Sequence, residues 1–92
     1  MPESPVAVET TVSLYPNPVR GRATVSFEAA ENADVNIQVF DPMGRMVMSQ
    51  SMGRIAKGAQ EISFSTENLS TGSYILRLNQ GANSSCVKFM VY

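Results

Sequence analysis

Val35-Asn36-Ile37-Gln38-Val39-Phe40-Asp41-Pro42-Met43-Gly44-Arg45-Met46-Val47-Met48 holds an alternating stretch, an interruption and a second apolar stretch. Val35, Ile37 and Val39 alternate with Asn36 and Gln38, and a period of two marks a strand with one face in a core. Asp41-Pro42-Met43-Gly44 puts Pro second and Gly fourth, an arrangement suited to a type I turn. The stretch therefore reads as a β-hairpin.

The same period recurs on both sides of it. Val12 and Leu14, then Ala23, Val25 and Phe27, precede the hairpin, while Ile62 and Phe64, then Tyr74, Leu76 and Leu78, then Val87, Phe89 and Val91 follow it. No segment carries an apolar period of 3.6 over the length a helix needs, and turn residues recur between the alternating runs. The expectation is an all-β fold, a seven-stranded antiparallel immunoglobulin-like β-sandwich. Its core is expected to contain Leu14, Val25, Phe27, Ile37, Val39, Ile62, Phe64, Leu69, Leu76, Leu78, Val87 and Phe89.

Composition narrows function. The chain has 92 residues, 7 Lys+Arg against 8 Asp+Glu, one Cys, no His and no Trp. Without His there is no imidazole general base and no Ser-His-Asp or Cys-His constellation, so an enzyme is not expected and no catalytic residue is assigned. Scattered basic residues and a formal net charge of −1 argue against nucleic acid as a partner. Cys86 alone can form neither an internal disulfide nor a zinc site. Met46 and Met48, read on one strand face, are better explained as adaptable apolar filling than as a copper(I) site. Glu28, Glu31 and Asp34 read as a solvated loop more readily than as a calcium site. Neither a metal, a cofactor nor a small-molecule substrate is expected.

Residues 1–11 contain Pro2, Pro5 and an unpatterned Val6-Ala7-Val8-Glu9, and they lack the cationic start and apolar run of a signal peptide. They are expected to be a linker to an upstream passenger, with residues 12–92 forming the folded domain. Two short motifs constrain that domain. In Tyr15-Pro16-Asn17-Pro18 each Pro fixes its own φ and keeps the residue before it out of the α region, which predicts a rigid corner where the first strand changes sheet. In Asn68-Leu69-Ser70-Thr71-Gly72-Ser73-Tyr74 an apolar residue, a Gly and a strand-opening Tyr resemble a tyrosine corner, whose hydroxyl bonds to backbone a few residues upstream.

Taken in order, Leu14-Tyr15-Pro16-Asn17-Pro18, Asp41-Pro42-Met43-Gly44-Arg45, Leu69-Ser70-Thr71-Gly72-Ser73-Tyr74 and Lys88-Phe89-Met90-Val91 resemble the type A C-terminal sorting domain of the type IX secretion system. The matching residues are Tyr15, Pro16, Asn17, Pro18, Gly44, Arg45, Leu69, Gly72, Tyr74, Lys88 and Val91. The resemblance implies a non-catalytic label at the end of an exported Gram-negative precursor. It also implies two partners, an outer-membrane translocon that reads the domain and a sortase that removes it upstream of the first strand. Passage through the periplasm to the cell surface or the medium follows from the same resemblance. The alternative is a retained carbohydrate-binding or adhesion module of a surface enzyme. Against it, the chain has no Trp, and most of Phe27, Phe64, Tyr74 and Phe89 lie on faces that read as core.

Overall fold

The computed structural model describes residues 12–92, so the linker expected over residues 1–11 lies outside the described residues. Seven strands follow one another: β1 (Val12–Arg20), β2 (Arg22–Ala29), β3 (Ala33–Phe40), β4 (Met46–Ile55), β5 (Gly58–Ser65), β6 (Gly72–Gln80) and β7 (Asn83–Val91). They form a sandwich of two sheets, as expected. One sheet runs β1-β2-β5 and the other β4-β3-β6-β7-β1, so that β1 belongs to both. Its first half, through Tyr15, pairs with β2, whereas Val19 pairs with Val91 of β7. That last pairing is parallel; the others are antiparallel.

The core lies where the alternating faces meet. Val25, Phe27, Ile37, Val39, Ile62, Phe64, Leu76, Leu78 and Phe89 are all buried, because in each strand alternate residues share the inner face and their mostly polar neighbours take the other. Phe89 sits at the aromatic centre, 5.8 Å from the Tyr74 ring in a stacked contact and 6.2 Å from Phe64 edge to face. Each such ring contributes about 1.5–3 kcal/mol by leaving water.

Two expected core residues are only half-buried. Val87 opposes the buried Leu76, but the far side of β7 meets β1 at Val91 and leaves Val87 near an open margin. Leu69 lies in the turn before β6, packed against the core rim instead of inside it. Val19, Ala23, Ala29 and Val35 join the core beyond the expected set.

Strand β4 departs from its expected alternation. The register passes from Val39 opposite Met48 to Phe40 opposite Met46, leaving Val47 as a bulge. Because Val39 and Phe40 point to opposite faces, Met48 and Met46 do as well, and the single methionine face read from the sequence does not exist. A second shift leaves Met52 without an opposing residue.

Candidate recognition site

The β3–β4 turn is organised by Asp41. Its carbonyl accepts from the Gly44 N–H at 2.9 Å, and its Oδ1 accepts from the N–H groups of Met43 and Arg45, each at 2.9 Å. Oδ2 receives Arg45 Nε at 3.1 Å. Gly44 takes a φ of +85°, which only a residue without Cβ adopts cheaply. The Arg45 N–H bond first, then the Arg45 guanidinium and the Met43 N–H, hold the Asp41 carboxyl below its ordinary range. Asp41 is missing from the residues marked by sequence, although Asp at the first position of a β-turn is the signal that identifies it.

The corner of β1 is equally specific. The Tyr15 hydroxyl donates to Glu61 Oε2 at 2.8 Å, and that bond is the main reason its pKa is raised. Asn17 Oδ1 accepts from the Met90 N–H at 3.1 Å, tying the corner to β7, while Pro16 and Pro18 are exposed. Both peptide bonds preceding these prolines are cis. Beyond the corner, Tyr92 N–H donates to the Val19 carbonyl at 2.9 Å, and the Arg20 guanidinium lies 5.4 Å from the Tyr92 ring centre.

The third turn closes through Tyr74, whose hydroxyl donates to the Ser70 carbonyl at 2.6 Å. This is a tyrosine corner at the start of the sixth strand of an immunoglobulin-like sandwich. Gly72 opposes Val91 and Tyr74 opposes Phe89, so the turn and the end of β7 lie side by side.

Register brings the separate motifs together. Phe40 pairs with Ile75, and Ile75 with Lys88, which sets the Asp41–Arg45 turn beside the start of β6 and the end of β7. Tyr15, Pro16, Asn17, Pro18, Gly44, Arg45, Leu69, Gly72, Tyr74, Lys88 and Val91 thus gather at one end of the sandwich. Their exposure differs: Tyr74 and Val91 are buried, Leu69 and Gly72 half-buried, and the others lie open to solvent. A hollow of about 370 Å³ opens among Asp41, Pro42, Ser73, Tyr74, Ile75 and Lys88. Ile75 and Phe40, central to this surface, are absent from the residues marked by sequence because alternation identifies inward positions and ranks outward ones equally.

Among the described residues no group of three His, Cys, Asp or Glu side chains is placed to hold a metal ion. What the site offers is shape: rigid turns, an exposed sheet surface and fixed charges.

The family described as the secretion system C-terminal sorting domain matches residues 13–92. No curated protein sequence matches the chain significantly. The fold is shared with dimeric latent PorU from Porphyromonas gingivalis, at a TM-score of 0.71 and 24% identity over 89% of this chain and 9% of PorU. It is shared also with PorZ of the same organism, an essential bacterial surface component of the type-IX secretion system. There the TM-score is 0.57 and the identity 19%, over 88% of this chain and 11% of PorZ. The chain spans only about a tenth of the length of either.

Proposed function

The chain belongs to the secretion system C-terminal sorting domain family, and from that membership we propose that it directs an attached passenger through the type IX outer-membrane translocon. The domain performs no chemistry of its own in this reading. It folds in the periplasm, is read by the translocon, and is then removed by a sortase that leaves the passenger at the cell surface or releases it. Residues 1–11 are the connection to the passenger and hold the bond to be cut, and residues 12–92 are the label.

The observation that carries the reading is the gathering of the motif residues at one end of the sandwich. Segments as distant in sequence as Asn17 and Met90 are hydrogen-bonded there, and each is rigidly presented by a turn or a strand end. Preformed surfaces of this kind suit recognition of a folded label, because little ordering cost remains to be met on binding. The test fuses the full chain behind a periplasmic reporter in a host carrying the type IX system. Delivery of the reporter to the cell surface is expected, and retention of a folded fusion in the periplasm would overturn the proposal.

A further inference from the structure

The two outer faces of the sandwich are unlike. On the three-stranded sheet the outward residues include Ser13, Thr24, Ser26, Glu28, Glu61 and Ser63, and the one large ring among them, Tyr15, spends its hydroxyl on Glu61. On the five-stranded sheet, pairing aligns Met46, Phe40, Ile75 and Lys88 in one outward row across four strands. Ile75 is 42% exposed, Met46 53% and the nearby Met90 39%. A second hollow, of about 440 Å³, shares Asp41, Pro42 and Ile75 with the first and reaches Arg77 and Phe40. Contiguous apolar surface of this kind on an outward sheet face marks a docking site more often than chance.

Cations outnumber carboxylates around it. Lys88 and Arg77 stand beside Ile75, and the Arg77 guanidinium lies 5.6 Å from the Phe40 ring centre. The neighbouring carboxylate, Asp41, already receives Arg45 and two backbone N–H groups. The surface therefore has an apolar centre, cations at its rim that no carboxylate pairs among the described residues, and its nearest anion engaged.

Resting on the sorting reading, we propose that this face, centred on Ile75 and rimmed by Arg77 and Lys88, docks an acidic, apolar-bearing segment of a protein of the export machinery. The hollows beside Ile75 take its apolar side chains, and Lys88 and Arg77 take its carboxylates. A second copy docking through the same face would set Lys88 and Arg77 against their own kind. A lipid headgroup layer would satisfy the cations but lay polar groups on Phe40 and Ile75.

The test reads surface delivery of the reporter by the full chain beside the melting temperature of each purified variant. Ile75→Ser and Lys88→Glu are each expected to lower delivery about tenfold, the effect of removing an apolar anchor or reversing a facing charge at an interface. Lys88→Arg, and Ser13→Glu on the other sheet, are expected to deliver normally. Lys88→Glu alters an exposed side chain, so its melting temperature should match the parent, and loss of delivery then cannot come from unfolding. A photo-crosslinking residue at position 75 should capture, during export, a protein whose contacted peptide carries net negative charge.

If the unaltered chain is not delivered, the sorting reading fails and this inference with it. If it is delivered and both altered chains are delivered equally, the inference alone is overturned. A contacted peptide without net negative charge also overturns it. So do a dimer of the purified chain that Ile75→Ser dissociates in sedimentation velocity, and Lys88-dependent co-sedimentation with phosphatidylglycerol vesicles.

Discussion

The Tyr74 hydroxyl closes a turn at 2.6 Å from the Ser70 carbonyl while the ring of the same residue stacks on Phe89, so one side chain joins loop to core. Tyr74→Phe keeps the ring and removes the bond, at a cost of about 0.5–1.5 kcal/mol. At about 4–8 °C per kcal/mol for a domain of this size, calorimetry should show a lowered melting temperature with the fold intact. Gly44→Ala tests the neighbouring turn. No atom lies within 4 Å of the added Cβ, so the penalty is the left-handed backbone alone, about 1–2 kcal/mol by the same measurement. Asp41 gives a pH signature. Its folded-state pKa is depressed, so its contribution is complete above the ordinary carboxylate range and disappears as pH falls through the lower folded value. Melting temperatures of the parent and Asp41→Asn should differ at neutral pH and converge in acid. Tyr15 works in the opposite direction, since its raised pKa makes its bond to Glu61 a contribution lost in alkali. In ultraviolet titration, Tyr15→Phe should remove a phenol that ionises above the ordinary tyrosine range.

Among the strands, β7 fills the centre through Phe89 and seals the end through Val91. Phe89→Ala should cost about 3–5 kcal/mol, enough to remove most of the stability of a small domain, and urea denaturation would measure it. Strands such as β2 and β3 are legible in sequence because polar and apolar residues alternate along them. Strand β1 is legible only to its prolines. Leu14 and Val19 are both buried although five positions apart, and a period of two cannot relate them once the strand changes sheet. The bulges at Val47 and Met52 are hidden for a similar reason, because the extra residue is defined by the opposing strand. The three turns are visible as motifs from their Pro and Gly content. Their meeting at one end is not, since it depends on register between β3, β6 and β7, and composition carries no information about register.

In the complete sandwich, pairings join strands far apart in sequence, as in β1 with β7, β2 with β5 and β3 with β6. Topologies dominated by such pairings close slowly, and stopped-flow refolding should fall in the range of about milliseconds to seconds. The parallel contact of Val19 with Val91 has an additional consequence, because β1 completes its second sheet only when β7 arrives. A polypeptide interrupted before β7 would also leave one side of β6 unpaired and omit Phe89 from the aromatic centre. Ribosome-stalled chains ending at Gln80 should therefore be digested by protease under conditions in which the full domain survives. Under the proposed sorting role, a precursor bearing this domain carries its own certificate of complete synthesis: the folded shape offered for recognition can be presented only by a chain translated through β7.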